Sequence, residues 1–497
     1  MDSDNATADT DLARLGGREV AEALGRAATV CVSTQRLAHA LRHAWSERMH
    51  AEGARVWRTP DILPLTAWQR RLTERSATMD AGNGGEAPVI LEQQQELIVW
   101  EQAAASAGVL DEVLQPRAIA SAMMEAHALA TGWAVRPDPA TVPEGSDVAA
   151  FLRVRQVAEQ QWKELAALPA PMLPWHAIDV IRARPQLLPR EIVFLGFDLP
   201  KDAALRQTLA ALGDAGVRVH LPSPAHAVGK TRLLRFPSFE DELHDAARYC
   251  REWLSRGESD IGIIIPHLMN VRDDVERVFS GVLHTTACGG EHDDDRPLYE
   301  LSLGRRAIDE ALIAAAFLFI EVLRPALALE TWSRILHSPF TRAADRFGDS
   351  RVLLDARLRK RGREKETAAE VRMMAGAGAN RDEDPLLQAL GKLPQDAHRT
   401  PGAWVEVFLD VLDAFGWPGD DTLSSREFQA RERFQELLRE YGDLDAVLGP
   451  IPLTEALRRF RLLASERVFQ VQSTGAPVQI MGVRESTGLR FTHCRVL

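Results

Sequence analysis

The segment from Glu191 to Pro222, EIVFLGFDLPKDAALRQTLAALGDAGVRVHLP, constrains the fold more than any other stretch. It opens on the apolar run Ile192-Val193-Phe194-Leu195, turns at Gly196-Phe197-Asp198, and continues with Leu205, Leu209 and Leu212 at helical spacing. Gly213 and Gly216 close that helix, and Val217 to Leu221 supplies a second short strand. Two such strands joined by a helix pair in parallel, so the segment predicts a βαβ unit. In open α/β sheets, ligands bind at the carboxyl ends of the strands. The functional question is what stands at that edge.

A chain of 497 residues is too long for one core, and at ~100–200 residues per domain it predicts roughly two to four domains. Hydrophobic content of 45% with 26% charged residues is that of a globular protein, so disorder is a local matter. A net charge of −12 argues against broad affinity for nucleic acid but leaves room for a basic channel within an acidic shell. Cys31, Cys250, Cys288 and Cys494 form no CxxC pair, which excludes a zinc ribbon or a cluster held by closely spaced thiolates. Residues 1–16 are polar and acidic and predict a disordered leader. No run approaches the ~18 apolar residues of a membrane span, so a cytoplasmic protein with no membrane partner is expected.

Taken in order, Ala28 to Val32 predicts a buried strand, and Leu37, Leu41, Trp45 and Met49 predict a helix after Ser33-Thr34-Gln35. Ser33 or Thr34 can cap that helix, and its free N–H groups can alternatively hold a phosphate. A helical insertion follows from about residue 69 to 190. It contains a loop at Gly82-Asn83-Gly84-Gly85, and its Trp100, Trp133, Trp162 and Trp175 fit core packing better than base stacking. Leu233-Leu234-Arg235-Phe236 predicts a strand, Ser238 with Asp241 a capped helix, and Ile261 to Ile265 a strand buried on both faces. The acidic loop Gly289 to Asp295 is contiguous rather than spaced and predicts a solvated loop, not a metal site. A second helical insertion spans about 305–465. Its densest positive run contains Arg357, Arg359, Lys360, Arg361, Arg363 and Lys365, a candidate phosphate contact or, with Asp355, Glu364 and Glu366 offsetting it, a solvated face. Strands at Pro477 to Gly482 and His493 to Leu497 flank a turn carrying Gly488.

The chemistry-bearing motifs are missing. The near match to a phosphate-binding loop, Pro224 to Thr231, has proline where the first glycine belongs and runs into Pro237 rather than a helix. An ATP-driven activity would require Lys230 to act regardless. A PD-(D/E)XK nuclease needs an acid two residues before a lysine, yet Gln161, Leu199, Val228, Leu358, Arg363 and Leu390 occupy those positions. HExxH and GxSxG are also absent, so no catalytic residue, metal or cofactor is expected in this chain.

The chain resembles the AddB-like "probable DNA repair protein" family, relatives of the helicase–nuclease subunits that process double-strand breaks. The resemblance is carried, in order, by STQRLAHALRHAW (33–45), VWRTPDILPLTAW (56–68), FLGFDLPKDAALRQTLAAL (194–212), FEDELHDAARYCREWL (239–254), SLGRRAIDEAL (302–312), LHSPF (336–340), FGWPGDDTLSSREFQ (415–429) and FQVQSTGAPVQIMGVRESTGLRF (469–491). It implies an α/β fold of two P-loop-NTPase/helicase-like parallel-sheet domains, at 17–225 and 226–497, each with a large all-helical insertion.

It further implies that the first stretch is similar to a helicase motif Ia, with Thr34, Gln35 and Arg36 at single-stranded DNA. The last stretch is similar to motif V, with Gly482, Glu485 and Gly488 on the strand track. Arg490 stands where relatives carry an acid, and the family's carboxyl-terminal nuclease domain has no counterpart here, so a truncated second domain is expected. The implied role is an ATPase-dead DNA-repair and recombination subunit, partnered by single-stranded DNA and an active UvrD/AddA-like helicase. The alternative is a protein-interaction scaffold that never touches DNA.

Overall fold

The computed structural model describes residue 15 and residues 19–81, 88–110, 115–138, 141–197, 203–222, 230–283, 298–376, 383–393, 398–470 and 476–497. Most of the 1–16 leader, the 82–85 loop, residues 224–229 of the phosphate-loop near match and the acidic loop at 289–295 lie outside the described residues. The fold is mixed α/β with small parallel sheets. By contacts the chain divides into one compact unit of Met1–Leu303 with Ser473–Leu497, and a second of Gly304–Gln472. Both four-stranded parallel sheets belong to the first.

The first sheet begins with β1 (Thr29–Val32), α1 (Gln35–Ala51), β2 (Ile62–Pro64) and α2 (Leu65–Ala81). Helices α3 (Gln93–Ser106), α4 (Pro116–Gly132), α5 (Asp147–Glu164) and α6 (Leu173–Ala183) intervene before β3 (Glu191–Leu195), α7 (Ala203–Asp214) and β4 (Arg218–His220). The strand order is β2-β1-β3-β4, parallel throughout, with Thr29 opposite Ile192 and Glu191 opposite Arg218. The βαβ unit expected at Glu191 to Pro222 is therefore present. Alternation along the strands assigns the two faces. Val30, Val32, Val193 and Leu195 pack on α1 through Leu37, Leu41 and Trp45. Cys31, Ile192 and Phe194 pack on α2, α6 and α7 through Leu72, Ile178, Ile181 and Leu212. Every residue of β1 and β3 is buried, as a parallel strand covered on both faces requires.

The second sheet is built from β5 (Ile261–Ile264), β6 (Tyr299–Leu301), β7 (Val478–Met481) and β8 (His493–Val496), in the order β8-β5-β7-β6 and again all parallel. Helices α8 (Phe239–Ser255) and α9 (Leu268–Leu283) cover it through Leu243, Ala247, Cys250, Val275 and Phe279. Ser238 caps α8 by accepting from Asp241 N–H at 3.1 Å, and Glu240, Asp241 and Glu242 place negative charge at the positive end of its dipole. Gly262 in β5 lets the Phe491 ring approach the backbone, in space that a Cβ would occupy.

One expected strand is absent. Leu233 to Phe236 forms no ladder, and Leu233 is 97% exposed. The apolar run has strand-like composition, but a strand exists only with a partner, and the structure gives this run none among the described residues.

The second unit is helical and aromatic-rich. Its core stacks Phe317, Phe408, Phe434 and Phe460, with ring centroids 4.7 Å apart for Phe317–Phe460 and 5.6 Å for Phe408–Phe460. A buried ion pair pins its helix α10 (Ala344–Arg361), where Arg351 Nη2 lies 2.7 Å from Asp384 Oδ1 with both side chains at or below 1% exposure. Asp384 also accepts from Leu386 N–H at 3.0 Å, and Arg351 donates to Thr341 Oγ1 at 2.7 Å, so both charges are fully hydrogen-bonded.

Candidate functional site

Sheet order locates the site. In the first sheet the chain leaves β1 to pair β2 on one side and returns to pair β3 on the other, so the crevice beyond the carboxyl ends of β1 and β3 is the topological switch point. Ser33 and Thr34 follow β1 there, and Gly196 follows β3. Thr34 adopts extended backbone (φ −135°, ψ 151°) and caps α1, its hydroxyl oxygen accepting from Leu37 N–H at 3.1 Å. Its own O–H remains a free donor among the described residues, and Gln35 beside it is exposed.

The crevice is occupied by the protein itself. Between β7 and β8 the chain makes no helix; residues 482–488 wind into a turn closed by Ser486 N–H to Gly482 O at 3.1 Å and Thr487 N–H to Arg484 O at 3.3 Å. Gly488 seats this turn in the crevice. It has φ +80°, and a Cβ on it would lie 2.8 Å from Leu37 Cδ2 and 3.7 Å from Gly196 Cα. Gly196 is equally constrained. At φ +78° it turns the chain out of β3, and a Cβ there would lie 2.5 Å from Ser33 Oγ and 2.9 Å from Leu37 Cδ2. Leu489, partly buried, then packs against the first sheet's core cluster that includes Leu37 and Val193. Glu485 lies against Gly482, close enough that a Cβ on Gly482 would overlap its carboxylate.

Arg36 ties the sheets together above this plug. Its Nη2 donates to Gln479 Oε1 at 3.1 Å, in the middle of β7, and lies 3.8 Å from Glu300 Oε2 in β6. About four-fifths of the Arg36 side chain is shielded, so the contact is a partly desolvated clamp rather than a loose surface pair.

No family model matches the chain, and no curated protein matches it.

Of the residues expected at DNA, Thr34, Gln35 and Arg36 lie at the start of α1, and Gly482, Glu485 and Gly488 on the turn whose Gly488 meets Leu37 of that helix. The basic run of the second unit is different. Arg359 donates to Asp355 at 3.0 Å and Ser333 at 2.6 Å, and Arg361 lies 3.2 Å from Glu366 and 3.6 Å from Glu370. Arg357 donates to the Met374 carbonyl at 3.4 Å, and Lys360 is exposed. Of the four tryptophans read as core, Trp100 and Trp162 are buried and Trp175 donates to Thr131 O, but Trp133 is 56% exposed and free to stack.

Sequence reasoning missed Ser33, Leu37, Gly196, Glu300 and Gln479 as members of this site. The clamp partners are 264 and 443 residues from Arg36 in sequence, and no local pattern marks them. Glycines after β3 and within 482–488 were a usable signal, since glycine at a strand end often marks close backbone approach.

The buried thiols of the two sheets are not poised nucleophiles. Burial pushes the Cys31 thiol far up and the Cys250 thiol up to about 12, which leaves both protonated and unreactive at neutral pH. Among the described residues no group of three or more His, Cys, Asp or Glu side chains could hold a metal ion, and no helix is long and apolar enough to cross a membrane.

Proposed function

We propose that this chain is a cytoplasmic, helicase-like DNA-repair subunit that holds single-stranded DNA passively, while a separate UvrD/AddA-like helicase subunit supplies ATP hydrolysis. The observation that carries the reading is the turn 482–488 seated in the switch-point crevice against Gly196 and Leu37. A mononucleotide binding there would have to displace that turn. A motor also opens and closes the gap between its two sheets with each nucleotide, whereas here Arg36, Gln479 and Leu489 tie the sheets into one compact unit. What remains for ligand on this edge is donor chemistry: the Thr34 hydroxyl, the exposed Gln35 amide and the first-turn N–H groups of α1, all suited to phosphate oxygens.

A second reading is favoured by a specific observation. Arg36, Arg359 and Arg361 all have carboxylate or amide partners within the chain, as expected of a protein scaffold with no DNA contact. Fluorescence anisotropy of a labelled single-stranded oligonucleotide at ~50 and ~200 mM salt separates the two. An edge of neutral donors binds at both salts and loses little affinity over that range, since Lys and Arg contacts to phosphate set the salt slope. A scaffold shows no binding at either salt.

A further inference from the structure

Among the described residues the second sheet has an open edge, and the same chain carries a segment of strand length with no strand partner. β8 is an edge strand whose odd-numbered residues bond inward, His493 N–H to Asp260 O at 3.2 Å and Leu497 N–H to Ile264 O at 2.9 Å. In a parallel strand both backbone polar groups of a residue point the same way, so those of Cys494 and Val496 face the open edge. Their side chains are exposed too, Val496 to 67%. The other face of β8 is covered by α8: His493 stacks on Trp253 at 3.7 Å, and Arg495 lies 4.2 Å over Tyr249 and 2.5 Å from Asp245.

Immediately before α8 runs Thr231 to Phe236, with no hydrogen-bond or ion-pair partner among the described residues. Thr231 to Arg235 are all exposed, Leu233 to 97% and Leu234 to 39%, while Phe236 is half-buried. The order of elements gives its place. A strand followed by α8 and then β5 is a β–α–β crossover, which is right-handed almost without exception and sets the first strand parallel to β5 on its α8-covered side. β8 already fills the position next to β5, so the vacant position is beside β8.

We infer that the open edge of β8 is the docking site for the chain's own Thr231–Phe236 segment, which closes onto it as a fifth parallel strand. Leu233 and Arg235 then share the solvent face with Cys494 and Val496, and Leu233 covers Val496. Closure also blunts an edge that would otherwise template aggregation, and the cations Arg232 and Arg235 disfavour pairing with a like strand from another molecule.

The test uses the native Cys494 as a reporter, in full-length protein with Cys288→Ser. Thr231→Cys, which lies opposite Cys494 when Leu233 lies on Val496, and Leu233→Cys, one pair further along the same face, are each exposed to oxidised glutathione. Neighbouring strands bring Cα atoms within disulfide reach. The expected result is a disulfide to Cys494 at monomer mass in one of the two variants, with amide exchange at Cys494 and Val496 slowed about tenfold or more in the unsubstituted protein. A disulfide at dimer mass assigns the edge to a second copy and overturns the inference. So does the absence of a monomer-mass disulfide in both variants, or unprotected exchange at both segments.

Discussion

Arg36 and Gln479, 443 residues apart in sequence, meet through a 3.1 Å hydrogen bond that joins the first turn of α1 to the central region of the second sheet. A residue read from sequence as a DNA contact also bridges the two sheets, and the two roles have different signatures. The hydrogen bond is charge-assisted and mostly shielded, while the accompanying ion pair at 3.8 Å adds little. Arg36→Ala is expected to cost about 1–2 kcal/mol in urea unfolding, and a cycle with Gln479→Ala to show a coupling of about 0.5–1 kcal/mol. Loss of DNA affinity with unchanged stability and no coupling would assign Arg36 to the ligand instead.

The plug is tested at Gly488. Alanine there must adopt φ +80° and place its Cβ 2.8 Å from Leu37 Cδ2. The strain and the overlap together are expected to lower stability by about 2–3 kcal/mol, read as a lower urea midpoint at constant slope. An unchanged midpoint would mean that the turn does not sit in the crevice.

His127 gives the pH dependence. It is 5% exposed between Trp100 and Trp162, with ring centroids 5.5 Å and 5.2 Å away, and neither ring nitrogen has a hydrogen-bond partner. Burial, with a smaller contribution from nearby Arg155, pushes its pKa down to about 4. Between pH 6.5 and 4 the unfolded chain therefore binds a proton that the folded chain refuses. Stability from this group is whole above pH 6.5 and falls on acidification, by an amount approaching about 3 kcal/mol at pH 4. His127→Leu is expected to flatten that part of the stability–pH curve, measured by urea unfolding from pH 7.5 to 4.5. A variant curve parallel to the parent's would show that His127 is accessible to protons in the fold.

The buried pair in the second unit is expected to fail asymmetrically. Asp384→Ala leaves the Arg351 guanidinium at 1% exposure with no counter-charge, at a cost of about 3–5 kcal/mol. Arg351→Met with Asp384→Leu removes both charges and is expected to cost less than the single substitution. A double variant at least as unstable as the single one would show that the pair itself, not its desolvated remnant, holds α10 in place.

How much of this was legible in the sequence follows from the range of each interaction. β1, β3, α1, β5 and the Ser238 cap were readable because apolar alternation, helical spacing and capping are local. The Leu233 to Phe236 run misled because strand composition does not supply a neighbouring strand. The clamp and the plug were illegible as contacts, since Arg36 must find Glu300 and Gln479, and Gly196 must find Gly488, across hundreds of residues. The basic run shows the same limit: counting charges marked Arg359 and Arg361, but only the fold brings Asp355, Glu366 and Glu370 onto them.

The most direct test of the central claim is one anisotropy titration of a labelled single strand at ~50 mM salt, carried out with and without ATP and magnesium. The account expects binding with the same midpoint in both, because the crevice that would sense the nucleotide is filled by residues 482–488. A midpoint that moves severalfold with ATP, or hydrolysis stimulated by the strand, would contradict it.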